Sequence, residues 1–225
     1  MLTRTTHASD AIKIHLDHRL VDLVELSEGV TLKFANGAEV SADTAVGGDG
    51  VHSIVRQRLQ GNVTTEFTGR VAYYGMVAAE DIGATSSAGR LDIWVGPGKH
   101  VVAYPVRRGE LINYVALIEE EGWVDESWNV KAEATGLKTA FEHWNDTVRT
   151  LVDRTRGGEC YKWALLGRPP LPYRSSDHIT LLDDAAHPMA PYLAPGLVMA
   201  IEDSWVLAAA LIAGLDRAKA LKSYE

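Results

Sequence analysis

Cysteine is nearly absent: Cys160 is the only one among 225 residues. An internal disulfide is excluded, and a reducing, cytoplasmic setting is the simpler reading. Positive charge is also in deficit. Lys and Arg number 22 against 30 Asp and Glu, a net charge of −8, which argues against nucleic acid or an anionic membrane as partner, since both need a basic face. The longest uncharged apolar run, 205–215, falls far short of the ~20 residues a membrane-spanning helix needs. Met1 is followed by Arg4, His7 and Asp10 with no apolar block, so no signal peptide is expected. There is no G-x-S-x-G nucleophile elbow. His15 and His18 have ligand-like spacing, but no Cys or carboxylate cluster completes a set, so no metal is expected. Cys160 has no evident activating neighbour. A strand, G-x-G-x-x-G and helix unit of the dinucleotide-binding kind is missing too. Gly96-Pro97-Gly98 has its first half only: position 101 is Val101, and strand-like stretches flank it, so a plain hairpin turn is expected.

What is present reads as a mixed fold. Hydrophobic residues make up 46% and charged residues 23%, a globular balance with enough chain for one large domain or two small ones. Alternating apolar and polar residues predict strands over 19–26 and 30–34, and Asn36-Gly37 predicts a tight turn into a strand over 39–42. From 70 to 119 three or four further strand-like stretches follow, separated by Gly-rich turns, which predicts an antiparallel sheet. Apolar spacing through Leu137, Phe141, Trp144, Val148 and Leu151 predicts one or two amphipathic helices over 131–153. A short strand is expected over 161–165, a Pro-rich loop after it, a strand over 178–182 and a strongly apolar helix over 198–213.

Two segments carry chemistry on their own residues. In the first, the apolar stretch 44–46 ends in Gly47-Gly48-Asp49-Gly50, ahead of a helical segment with Arg56 and Arg58 on its polar side. Asp49 is placed there to cap the helix or to orient a neighbouring arginine. In the second, a strand ends in Asp183-Asp184, small residues lead to His187-Pro188, and a loop marked by Pro191, Pro195 and Gly196 enters a helix bearing Glu202-Asp203. A carboxylate at a strand end suits a polyol hydroxyl, and small residues let backbone approach a ligand closely. The helix start offers free N–H groups and a positive dipole end to a developing anion. The same residues also read as an ordinary strand-loop-helix with a solvated Asp pair. His52 and His187 read as groups that position these loops rather than as bases.

The run Asp184-Ala185-Ala186-His187-Pro188-Met189, with Pro191, Gly196 and Ala200-Ile201-Glu202-Asp203, resembles the second FAD-binding motif of the FAD-dependent aromatic-ring monooxygenases of salicylate hydroxylase type. Gly48-Asp49-Gly50-Val51-His52-Ser53 with Val55-Arg56 is similar to that family's Asp-Gly motif, which contacts FAD and NAD(P)H. The stretch 162–165, the Pro loop and the final ALKSYE follow the family as well, so the resemblance covers nearly the whole chain. It implies an α/β (mixed α+β) fold. Residues 1–65 and 156–225 would form a partial FAD/NAD(P)-binding domain around an inserted antiparallel-sheet substrate domain, 66–155. It implies FAD as cofactor, NAD(P)H as reductant, and hydroxylation of a small aromatic compound with O2. Cofactor contacts would fall on Asp49, Gly50, Arg56, Asp184, Ala185, Pro188, Pro195, Gly196 and Leu197. Candidate pocket residues on the sheet are Tyr73, Tyr74, Met76 and Tyr104, each of which reads equally as core packing; Pro191 is a further substrate candidate, and no residue is singled out as catalytic.

The chain departs from the family in three places. The family usually has Gly at the position of Asp183 and Gln at that of Pro195, so a charge is added at a close approach and an N–H donor is lost. The G-x-G-x-x-G unit and the arginine beyond it have no counterpart, which implies that a missing N-terminal segment or a second copy in a homodimer supplies contacts to the ADP half of FAD. The alternative implied by the same departures is a non-catalytic truncated remnant, or a fragment, that does not bind FAD on its own.

Overall fold

The computed structural model describes residues 10–61, 66–83, 90–120, 130–189, 196–214 and 216–225. The chain forms two compact units, one made of Met1–Thr64 and Arg168–Glu225, the other of Thr65–Gly167.

The first unit begins with an antiparallel meander, β1 (Leu20–Leu26), β2 (Gly29–Phe34) and β3 (Glu39–Ala42). The predicted Asn36-Gly37 turn joins β2 to β3, with Gly37 at φ 86°, a conformation that glycine adopts without steric cost. Next comes β4 (Ala45–Gly47), then helix α1 (Ile54–Gln60). Far along the chain, β11 (Ile179–Leu181) returns to pair with β4 in parallel. Leu23, Val30, Val55, Ile179 and Leu181 close the core of this unit. The long helix α5 (Gly196–Ile212) and α6 (Arg217–Tyr224) complete it.

The pair β4–β11 has an open side. Ala45 donates to the His178 carbonyl and the Gly47 carbonyl accepts from Leu182, so residues 45 and 47 face β11. Backbone groups alternate along a strand, so the N–H and C=O of Val46 point the other way, where no described strand pairs with them.

The second unit is one antiparallel sheet of six strands in the order β6-β7-β8-β5-β10-β9: β5 (Glu66–Ala78), β6 (Asp92–Gly96), β7 (Lys99–Val106), β8 (Leu111–Glu119), β9 (Val130–Glu133) and β10 (Glu159–Gly167). Pro97-Gly98 is the hairpin turn between β6 and β7, with Gly96 opposite Lys99. Three helices, α2 (Ala79–Ile82), α3 (Thr135–Phe141) and α4 (Asp146–Asp153), cover one face. That face carries Val71, Tyr73 and Val77 of β5 and Ile112, Tyr114 and Ala116 of β8, packed on Leu137, Phe141, Val148 and Leu151.

Two expectations need correction. Helix over 131–153 starts only at Thr135, because 130–133 is a strand that pairs with β10. Residues 156–167 group with the sheet rather than with the C-terminal part, because β10 lies between β5 and β9 and runs to Gly167. The mixed helix-and-sheet class stands as expected, and no described helix is long and apolar enough to cross a membrane.

Candidate functional site

Both chemical segments lie in the first unit, and the fold brings them together. Gly47 ends β4 beside Leu181 of β11; a Cβ on Gly47 would stand 2.9 Å from a Leu181 methyl and 2.7 Å from Val55. Only glycine lets the two strands and α1 close to this distance. Gly50 turns the chain at φ 77°.

Asp49 is committed to the helix. One carboxylate oxygen accepts from the N–H of Ile54 at 2.8 Å and of Val55 at 3.3 Å, and the other accepts from the Ser53 hydroxyl. Ser53 is the N-cap and its hydroxyl accepts from the Arg56 N–H at 2.8 Å. These bonds satisfy the free donors of the first turn. Of the two roles open to Asp49, the structure shows capping; the arginine is held elsewhere.

Arg56 is 2% exposed. Its Nη1 donates to the carbonyls of Ala185 and Ala186, each at 3.2 Å, and Nη2 to that of Pro169 at 3.4 Å. Its Nε has no partner among the described residues. Burial first, and then the charge of Arg168, lower its pKa. Arg168 in turn donates to the Val51 carbonyl at 2.7 Å. The guanidinium of the first motif therefore holds the backbone of the second.

In the second motif, Asp183 to Ala185 form a single helical turn after β11. Asp183 has φ 56°, in the left-handed region where a Cβ is crowded. That backbone explains why glycine suits the position. Asp184 is partly buried and accepts a backbone hydrogen bond from Met189. Burial raises its pKa, the charge of Asp183 raises it further, and His187 and the Met189 N–H oppose the rise. Ala185 is fully buried and Pro188 borders a cleft of about 460 Å³ with Arg168, Pro169 and His187.

Residues that the sequence reading gave no role hold this turn. Asp203 of α5, 6% exposed, accepts from the Asp183 N–H at 2.8 Å, lies 2.7 Å from His187 Nε2 and accepts from Arg174 Nη1 at 3.4 Å. Arg174 also donates to the carbonyls of Tyr224 and Glu225 and stands 4.4 Å over the Tyr224 ring. The Tyr224 hydroxyl donates to the Leu181 carbonyl at 3.0 Å, and burial, then Asp203, push its pKa up to about 12. The signal was a carboxylate inside an otherwise apolar helix, since a buried charge requires partners.

Gly196 opens α5, and the position of its absent Cβ meets nothing within 4 Å. Leu197 beside it is 72% exposed. Pro191 and Pro195 lie outside the described residues. Tyr74, Met76 and Tyr104 belong to the second unit, on the sheet face away from its helices, and Tyr74 stacks on Trp163 with centroids 3.8 Å apart. Tyr73, the fourth candidate, instead points to the helix-covered face and is core, because successive strand residues face opposite sides. No group of three or more His, Cys, Asp or Glu among the described residues could hold a metal ion.

Replacing Asp183 with glycine is expected to stabilise the protein by roughly 0.5–1 kcal/mol, the relief of left-handed strain less the added chain entropy. It also removes a charge that raises the Asp184 pKa. A raised carboxyl binds a proton that the unfolded chain has already released, so its contribution to stability falls as pH rises from the ordinary carboxylate range through the raised value. Asp183→Gly should shrink that loss, read as a lower Asp184 pKa by NMR titration. An unchanged pKa and stability would rule this out.

A family model described as FAD binding domain matches residues 1–225. A 3-amino-4-hydroxybenzoate 2-monooxygenase of Streptomyces platensis is 38% identical over 202 residues, 89% of this chain and 50% of that protein. A 6-hydroxynicotinate 3-monooxygenase of Bordetella bronchiseptica is 35% identical over 225 residues, 98% of this chain and 58% of that protein. Among solved structures, a salicylate hydroxylase substrate complex matches with TM-score 0.78 and 28% identity, over 92% of this chain and 56% of that one. A Klebsiella pneumoniae protein complexed with FAD and uric acid matches with TM-score 0.80 and 26% identity, over 92% and 52%. The chain spans about half the length of the curated relatives it matches.

Proposed function

This chain belongs to the FAD binding domain family of FAD-dependent aromatic hydroxylases, and from that premise we propose that it supplies the ribityl and ring half of the FAD site, with the substrate sheet, of an aromatic-ring monooxygenase. The observation that carries this reading is the pair of joined motifs. Asp184 keeps acceptor capacity beyond the Met189 N–H, which suits a polyol hydroxyl. The start of α5 offers N–H donors beside an open Gly196, which suits the anionic edge of a reduced ring. The donor set thus fits that half of the cofactor. When bound, FAD supplies the redox chemistry, taking electrons from NAD(P)H and activating O2 for transfer to an aromatic ring. Asp49, Gly50 and Arg56 act on the cofactor through the backbone: Asp49 fixes α1, and Arg56 fixes the carbonyls of Ala185 and Ala186. Resemblance to the family supports Ala185, Pro188 and Leu197 as further cofactor contacts and Tyr74, Met76 and Tyr104 as substrate contacts; Pro195 and Pro191, assigned to the same two roles, lie outside the described residues. The setting is cytoplasmic, in keeping with a lone buried cysteine.

The pyrophosphate and adenosine half requires a further element. A parallel pair with one open edge is the observation that favours it, because parallel sheets are stable when extended and covered on both faces. We assign the open edge of β4 to a strand of a βα unit carrying the anion-binding glycines, from the same polypeptide or a second copy. The exposed apolar residues Leu197, Ile201 and Trp205 of α5 would pack on it.

Titration of the 225-residue chain with FAD and with riboflavin, read by flavin fluorescence, tests this. Comparable dissociation constants are expected, and Asp184→Ala should weaken both by about 1–3 kcal/mol, the range for a lost charged hydrogen bond. A more than tenfold preference for FAD would show that this chain grips the ADP end. Absence of binding at high micromolar concentration would favour the alternative, a fragment that holds no flavin alone.

A further inference from the structure

The sheet of the second unit has two unlike faces. The face away from α2, α3 and α4 carries, in register across three strands, Tyr104, Asn113 and Met76. The next row is Val102, Val115, Tyr74 and Tyr161. At the sheet edge the second row runs on to Lys131 of β9, which is paired with Glu159 at 2.8 Å; the other side chains named in the two rows are uncharged. Farther along the face, Arg70 and Glu119 pair with each other at 2.9 Å. Asn113 is half-buried, and its side-chain amide makes no hydrogen bond with any described residue. A half-buried amide amid apolar and aromatic neighbours, with no partner among the described residues, is a polar group open to a ligand. The Tyr74 phenol stays neutral at physiological pH: burial, and then Tyr104, push its pKa up to about 12.

We infer that Asn113 is a specificity-determining residue that recognises a neutral ring hydroxyl of the aromatic substrate. A phenolic hydroxyl both donates and accepts, which matches the two ends of the amide. The cation at the edge of these rows, Lys131, lies beyond Tyr161 and is paired with Glu159, so a ring carboxylate beside Asn113 gains no ion pair. Met76 and Tyr104, on either side of Asn113, provide the apolar contact for the ring. Such a pocket, with few polar groups among apolar ones, discriminates chiefly by leaving a buried polar group unpaired when the wrong ring enters.

This inference rests on the reading that the sheet unit receives an aromatic substrate, and a matched pair of probes separates the two. Catechol and 1,2-dimethoxybenzene share a ring, but only catechol donates. Calorimetric titration of the 225-residue chain should give a catechol preference of roughly 3- to 10-fold, the effect of one net hydrogen bond. Asn113→Leu should reduce the preference to within about twofold while retaining the dimethoxy compound. Asn113→Val, β-branched and suited to a strand, gives the same reading if the leucine variant fails to fold. A preference unchanged in the folded variant, or no preference in the parent chain, overturns the role of Asn113 and leaves the substrate face standing. No binding of either ring to the parent chain overturns both.

Discussion

Arg56→Met is expected to lower stability by about 3 kcal/mol in urea denaturation, one of the two largest effects of any single substitution considered. The reason is asymmetry. The side chain donates to three carbonyls from two segments, Ala185 and Ala186 on one side and Pro169 on the other. Methionine fills much of the volume but leaves the Ala185 and Ala186 carbonyls buried and unsatisfied, at roughly 1–3 kcal/mol each before relaxation, while water can reach the exposed Pro169. Removing a desolvated cation returns part of this. Arg56→Lys should be nearly as damaging, because an ammonium on a single stem cannot span the carbonyls that a planar fork reaches. A loss under about 1 kcal/mol would mean that water replaces the guanidinium.

Asp203→Ala should cost a similar amount, about 3 kcal/mol, through a different mechanism. One carboxylate serves the Asp183 N–H, His187 and Arg174. Its removal leaves the half-buried Arg174 guanidinium without its carboxylate; breaking a fully buried pair from one side typically costs about 3–5 kcal/mol, and partial exposure sets this case at the lower end. The carbonyls of Tyr224 and Glu225 still hold Arg174, which reduces the figure. The backbone of Asp183, already at positive φ, loses its anchor. Asp203→Asn should lose roughly half as much, since it retains one acceptor. The flavin titration gives the second readout: with the 183–187 turn released, riboflavin affinity should fall alongside stability. Undiminished affinity in a destabilised Asp203→Ala chain would show that the turn holds its shape without the helix.

Much of this fold was legible in the residues themselves. Alternation and Asn36-Gly37 mark the meander because register and turn type are local properties. The hairpin at Pro97-Gly98 is legible for the same reason. The strand 130–133 was not, because four residues running into a helical pattern show no period of their own, and only β10 opposite makes them a strand. At the site, the two motifs stood out by composition, and glycine or small residues marked the close approaches. The direction of Arg56 did not. On a helical wheel it lies on the polar side, yet it is buried, and its partners are carbonyls of a segment whose position depends on the whole first unit. Asp203 shows in the sequence as a carboxylate within an apolar helix, but its anchoring role does not, because its partners come from two other stretches of chain, Arg174 and the 183–187 turn.

The span closed by Arg56 sets an order of events. Its bonds to Ala185 and Ala186 cross 129 and 130 residues, and β4 waits equally long for β11. The unit from Thr65 to Gly167 is continuous in sequence, whereas the other is split around it. During synthesis, which proceeds from the N-terminus, the inserted sheet is complete on the ribosome before the outer unit has received its second half. Until residue 186 emerges, the arginine and the edge of β4 remain open to solvent and to other chains, and the outer unit carries the slower, more aggregation-exposed step of folding.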